Sequence, residues 1–227
     1  GSIILEVIMC IVGIIGQREG LNTALLARWT GFGEVGASLV GLAIGFSLIG
    51  WFGIQSAISA ESLETLMPGV LPVWLWCLIF GLIVTAIVAV GFGGMQWLAN
   101  VTVPLFLILV GWSIVSELSR HPLGELISSA PPGPVMSVGQ GTAIVAGGLI
   151  VGAIITADMT RFNRSAKDVV KQTVLGVTLG EFVIGLAGVL LAHAAGSGNI
   201  VAIVTSSVGL VGLLIVLTGT LKINDWN

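Results

Sequence analysis

An all-α polytopic membrane protein is the fold class this sequence predicts, and three observations carry that prediction. Of 227 residues, 56% are hydrophobic and only 8% are charged, whereas soluble domains average about 25% charged. From Thr65 to Ser116 run 52 consecutive residues without a formal charge. As one helix rising about 1.5 Å per residue this run would far exceed a hydrocarbon core of about 30 Å, so it must fold back. The hydrophobic segments also lack the alternation of polar and apolar residues over about ten positions that barrel strands require. Unpaired backbone groups are costly in lipid, so such segments read as helices.

Seven segments follow in order. The first is Ile3–Ile15. The second, Val35–Ala60, contains no charge and carries Trp51 and Gln55 four residues apart. Pro72–Val90 and Trp97–Ser116 flank the cluster Gly91-Phe92-Gly93-Gly94, the natural reversal point because glycine accepts the backbone angles of a turn. Pro104 is expected to kink the fourth segment. The fifth, Gln140–Ala157, contains Gly147, Gly148 and Gly152. These three glycines weaken the helix, which either opens locally beside a cavity or packs tightly against a neighbour. The sixth, Val174–Ala195, holds Glu181, and the seventh is Ile200–Leu221.

The connections are also legible. Leu21–Gly33 is too short and polar to span, so it reads as an interfacial or connecting helix, and Ser165–Lys171 resembles it. Ala130–Pro134 (APPGP) interrupts a loop on the opposite face. The 33 glycines, about twice the usual frequency, include Gly41-xxx-Gly45 and Gly176-xxx-Gly180, a spacing that suits close helix packing and is common to polytopic proteins. Cys10 and Cys77 lie within hydrophobic segments without a CxxC pattern and read as packing residues.

Basic residues set the orientation. Arg18 and Arg28 lie between segments one and two, and Arg161, Arg164, Lys167 and Lys171 between five and six. With alternating sides these loops share a face with the short Gly94 turn and with Lys222, while Arg120 alone falls opposite, so the basic face is cytoplasmic. Segment one then enters from outside. That parity predicts an odd number of helices upstream, and the terminal KINDWN lacks a polar tail. The expectation is an internal fragment of a larger transporter, one incomplete transmembrane domain over residues 1–227.

Several motifs together resemble the nucleobase:cation symporter family, most closely its purine/cytosine permease branch. They are GQREGLNTALLARWTGFG (Gly16–Gly33), GWFGIQ (Gly50–Gln55), ITADMTRFNRSAKDVV (Ile155–Val170) and the terminal IND (Ile223–Asp225), in the family's order. The resemblance implies a leucine-transporter-like inverted-repeat fold of twelve helices, of which the seven segments match the second through eighth. It implies secondary active import of a nucleobase, cytosine or a related purine or pyrimidine, with a coupling cation, across the cytoplasmic (inner) membrane. Trp51 matches the tryptophan on which the planar ring stacks, and Gln55 a position from which some members hydrogen-bond the ring edge. Four residues apart on a helix is one face, and an amide supplies both a donor and an acceptor to a base edge. Asn224, in the matched IND motif, is a further candidate substrate contact.

Departures from the family pattern shape the remaining expectations. Leu48 stands where cytosine permeases carry glutamine, and Gly148 and Leu149 stand where they carry serine and phenylalanine, so the pocket keeps one aromatic face and loses the other. The family's sodium-binding positions on the eighth helix align with Gly219, Lys222 and Ile223, whose side chains supply no oxygen ligand. Lys222 could occupy the sodium position and favour H+ over Na+, or it could snorkel to the interface. Glu181 could relay a proton, pair with Lys222 or sit protonated in packing. Asp158 and Arg161, three apart, are expected to form a salt bridge that orders an inner gate. His193 lies near an outer segment end and is incidental.

The partners so implied are a small nucleobase and the lipid bilayer, with a monomeric carrier, no nucleic acid, and no cofactor beyond the coupling cation. The same fold could carry another small solute, such as a hydantoin-like or allantoin-like ring or an amino acid. A channel would need a water-lined stripe or ring of like residues, which the sequence does not display. An intramembrane enzyme would need convergent catalytic groups, and two separated histidines with scattered carboxylates supply none.

Overall fold

The computed structural model describes residues 1–120, 122–128, 135–203 and 210–224. Among these the regular structure is entirely helical. The elements are α1 (Ser2–Glu19), α2 (Thr23–Ala27), α3 (Gly33–Leu66), α4 (Val73–Ala89), α5 (Phe92–Arg120), α6 (Leu123–Ser128), α7 (Val138–Ile154), α8 (Thr156–Thr160) and α9 (Ala166–Thr173). A π-helical stretch, Val174–Ile184, then leads into α10 (Gly185–Ala195), and the described chain ends on α11 (Leu210–Asn224). The first six predicted segments fall on helical structure, the fifth divided between α7 and α8, and the described residues of the seventh are helical. Four helical runs are long and apolar enough to cross a membrane, namely Thr23–Leu66, Phe92–Arg120, Val138–Thr160 and Ala166–Ala195. The predicted Ala130–Pro134 loop, Asp225 and part of the seventh segment lie outside the described residues.

Local chemistry sets the element boundaries. Gly20, at φ 66°, closes α1 by donating its N–H to the Gly16 carbonyl at 2.9 Å. Asn22 caps α2, its side-chain oxygen accepting from Leu25 N at 2.9 Å. Between α2 and α3 the helix breaks at Thr30 and Gly31, the latter at φ 104°, where a residue with a Cβ would be strained. This break makes Leu21–Gly33 the short connecting helix expected from its composition. α3 continues past the last apolar residue of its predicted span to Leu66. There the Ser62 and Thr65 hydroxyls donate to carbonyls one turn back, and Glu64 accepts from Gly69 N at 3.1 Å. Charge ends an apolar run, but it does not end a helix whose backbone bonds continue.

The reversal between α4 and α5 is tighter than predicted. Gly91, at φ 87°, makes the turn, and Phe92 already begins α5. Pro104 sits inside α5, which runs on across it. Ser165–Lys171 is not a separate interfacial helix, because α9 belongs to the 30-residue helical run Ala166–Ala195. The glycine-rich part of α7 remains helical, and the break falls just beyond it, at Ile155 (φ −81°, ψ 5°). A Cβ on Gly147, Gly148 or Gly152 would meet nothing within 4 Å, so among the described residues these glycines are not packed against a neighbour.

The chain divides into two compact units. In the unit formed by Gly1–Ser47 and Val135–Gly185, α1 packs on α7, α8 and α9. The glycines that permit this approach are Gly13 and Gly16, not the Gly41-xxx-Gly45 or Gly176-xxx-Gly180 pairs. A Cβ on Gly16 would lie 2.6 Å from Ala157 Cβ, and one on Gly13 would lie 2.8 Å from Val169 Cγ1. In the unit formed by Leu48–Pro134 and Leu186–Asn227, α5 packs on α4 and α11. Here Gly219 admits the Phe106 ring, which a Cβ would meet at 3.0 Å. Large apolar side chains such as Phe46, Ile49 and Trp112 remain exposed, as expected of surfaces that face lipid.

Overpacking of this kind typically costs about 1 to 3 kcal/mol. Gly16→Leu is therefore expected to lower the thermal midpoint of the detergent-solubilised protein by several degrees. Gly50→Ala, where a Cβ meets nothing within 4 Å, is expected to leave it unchanged. Equal midpoints for the two variants would remove the close approach of α1 to α8.

Candidate functional site

The predicted site residues divide between the two units. Trp51, Gln55, Gly219, Lys222, Ile223 and Asn224 belong to one, and Gly148, Leu149, Asp158, Arg161 and Glu181 to the other.

The first group is built on α3 and α11. At 3.6 residues per turn, the buried side chains Ser56, Ser59, Ala60 and Ser62 form one stripe along α3, and Trp51 and Gln55 lie at its edge. Both are half-buried. The Gln55 amide and the Trp51 indole make no hydrogen bond to any described residue. Ser59, one turn on, donates its hydroxyl to the Gln55 carbonyl at 3.0 Å, so the main chain of Gln55 is engaged while its side chain is not.

Asn224 is 1% exposed, and its amide nitrogen donates to Ser56 Oγ at 3.1 Å and, more weakly, toward the Phe52 carbonyl at 3.5 Å. Its donor group is therefore committed to α3. The three positions aligned with an ion site lie on α11 at i, i+3 and i+4. Gly219 abuts Phe106, Ile223 is 53% exposed, and Lys222 is half-buried in the last turn of α11. The buried hydroxyls on α11 are those of Thr218 and Thr220, which donate to Leu214 and Val216 carbonyls at 2.6 Å each. Sequence reasoning missed them because it followed the alignment rather than the hydroxyls in LTGTLKIND.

A cavity of 410 Å³ in this unit is lined by Glu61, Glu64, Thr65, Val73 and Asn199 among others, and none of the predicted residues contributes.

In the other unit, the expected Asp158–Arg161 salt bridge is not formed. Among the described residues the ion pairs are Arg28–Glu34 at 3.4 Å and Glu117–Arg120 at 3.9 Å. The Asp158 carboxylate instead accepts from the Thr23 backbone N–H at 3.1 Å and from its hydroxyl at 2.6 Å, fastening α2 to α8. An orphan N–H at a helix start competes well for a nearby carboxylate, and the helix dipole adds to the attraction. The Arg161 guanidinium lies over Phe162, 4.7 Å from the ring centroid, with its Nε buried and without a hydrogen bond.

Leu149 is exposed, and Gly148 makes no close contact. Glu181 stands on the π-helical stretch with Oε2 buried and without a hydrogen-bond partner. Glu6, which the sequence reading passed over, lies on α1 and accepts from the Thr178 hydroxyl at 3.0 Å. A carboxylate in an otherwise apolar helix was the signal that could have found it. Among the described residues, His, Cys, Asp and Glu do not cluster in a way that could hold a metal ion.

Removing the Asp158 carboxylate takes from Thr23 its two hydrogen bonds to a charged group, each typically worth about 1.5 to 3 kcal/mol. Asp158→Ala is expected to expose the Gly20–Asn22 connection to limited proteolysis, whereas Arg161→Ala leaves cleavage unchanged. Similar cleavage of both variants would restore the ion-pair reading.

Known proteins provide a comparison. The chain is 28% identical over 226 residues to the cytosine permease of Escherichia coli K12, and the same figures hold for the cytosine permeases of strains O6:H1 and O157:H7. The match covers 100% of this chain and 52% of each relative, so the chain spans about half the length of the curated relatives it matches. The profile described as a permease for cytosine/purines, uracil, thiamine and allantoin matches residues 1–224. With its long apolar helices and this near-complete match, the chain is an integral multi-pass membrane protein and belongs to the cytosine/purine permease family.

Proposed function

We propose that this chain carries the ring-recognising part of a secondary active permease that imports a nucleobase, cytosine or a related purine or pyrimidine, across the cytoplasmic membrane with a coupling cation. The observation that carries the reading is the Gln55 amide, which is half-buried at membrane depth and lacks a hydrogen bond to any described residue. The uncommitted amide offers both a donor and an acceptor, and a base edge presents the matching groups. Trp51 on the same face offers the apolar plate that a planar ring needs. The cytosine permeases with which the chain aligns throughout support the same choice of substrate. In this reading Asn224 supports the recognition face from α11, and the coupling cation is H+ rather than Na+, because the side chains of Gly219, Lys222 and Ile223 supply no oxygen ligand.

The test is uptake of labelled cytosine by cells that lack endogenous nucleobase carriers and express the full-length protein. Trp51→Ala is expected to weaken uptake about tenfold or more, since stacking is worth about 0.5 to 1.5 kcal/mol beyond burial and 1.4 kcal/mol is a factor of ten. Trp51→Phe should retain most activity, and Gln55→Ala should cost about fivefold. Uptake unaffected by all three variants would remove the base-stacking role.

Coupling is tested in the same cells. Replacing sodium with choline is expected to leave uptake intact while acidification of the medium stimulates it. Strict sodium dependence would overturn the proton assignment.

A further inference from the structure

The α3 turn that carries Gln55 is held against α11 by two polar rungs. Ser59 Oγ and Thr220 Oγ1 lie 2.7 Å apart, and Asn224 Nδ2 reaches Ser56 Oγ at 3.1 Å. The rungs run in opposite order along the two helices, Ser56 facing Asn224 and Ser59 facing Thr220, which fixes an antiparallel register. All four side chains are buried, Ser59 completely and Thr220 to 6% exposure.

Counting hydrogens shows what the inner rung contributes. Ser59 has the Gln55 carbonyl as an acceptor on its own helix at 3.0 Å, and Thr220 has the Val216 carbonyl at 2.6 Å. Each hydroxyl could therefore be satisfied without crossing to the other helix, so the contact between them is not needed to avoid a buried unsatisfied group. With one hydrogen apiece, one hydroxyl donates across while the other donates along its own helix. What the shared bond adds is register between α11 and the backbone of Gln55.

We propose that Ser59 and Thr220 are positioning residues for ring recognition, holding the Gln55 turn in register with α11 so that its unpaired amide meets the ring edge at a fixed height beside Trp51. This inference rests on the nucleobase reading of Trp51 and Gln55. The main chain of Gln55 is fixed from behind while its side chain stays uncommitted, an arrangement that reduces the ordering needed when a ligand binds.

The experiment is equilibrium binding of labelled cytosine to the purified full-length protein, with uracil as competitor. Thr220→Val keeps the shape of the side chain and deletes only its hydroxyl. It is expected to weaken cytosine binding about fivefold, the effect of one hydrogen bond, and to shrink the ratio of cytosine to uracil affinity, which a purely structural loss would leave unchanged. Thr220→Ser restores the hydroxyl and is expected to return both quantities to within about twofold of wild type. Ser59→Ala is expected to reproduce the Thr220→Val result and decides the matter if that variant fails to accumulate.

Unchanged affinity and selectivity in Thr220→Val, or in Ser59→Ala where it stands in, overturns the positioning role. Trp51→Ala and Gln55→Ala, measured in parallel, separate the two levels. If they lose binding while the hydroxyl variants do not, this inference alone fails. If they also bind cytosine as wild type does, or wild type binds none, the nucleobase reading fails and this inference falls with it.

Discussion

Lipid offers no hydrogen bonds, and the structure depends on that constraint. A polar group inside an apolar helix must find its partner within the protein. Aliphatic side chains gain little by leaving hydrocarbon for a protein interior, so burial does not sort them as it does in water. The buried set accordingly mixes aliphatic side chains with Ser and Thr in both units, including Thr156, Thr160 and Thr173 in one and Ser56, Ser59, Thr102 and Thr220 in the other. Most hydroxyls of the described helices donate to a carbonyl one turn back, as those of Thr102, Thr156 and Thr220 do. The few that also cross between helices define the register.

In the unit containing α1, one such crossing accompanies the closest backbone approach. Thr160 donates to the Gly13 carbonyl at 2.9 Å, within reach because Gly13 and Gly16 present no side chain to α8. The same short helix turns Asp158 toward Thr23. A carboxylate that looks like half of an ion pair in sequence thus becomes the fastening of a connecting helix. Three residues apart is good spacing for a salt bridge, but an orphan backbone N–H and a hydroxyl on the same neighbour make the stronger pair of partners. Arg161, left without the carboxylate, lies over the Phe162 ring.

Much of the fold was legible because the signals were long. A stretch such as Thr65–Ser116 without charge can only be paired helices, and Gly91 turned where its position in the run required. Shorter signals misled. Glycine spacing singled out Gly41-xxx-Gly45 and Gly176-xxx-Gly180, yet close approach occurs at Gly13, Gly16 and Gly219, while the break falls at Ile155, a few residues beyond the glycines of α7. Whether a glycine packs depends on what the facing helix presents, and one helix's own sequence does not contain that information.

The candidate site shows the same division. The sequence by itself determined that Trp51 and Gln55 share a helix face, that the chain is apolar enough to live in a membrane, and that its motifs follow the order of the permease family, because periodicity, composition and order are properties of the chain. Only the tertiary structure decided that Asn224 spends its amide on Ser56, that Ile223 is exposed, and that Ser59 and Thr220 meet behind Gln55. Those outcomes depend on which face of α11 meets α3 and at what height. That register is fixed by contacts between residues 161 positions apart in the chain, beyond the reach of any local pattern.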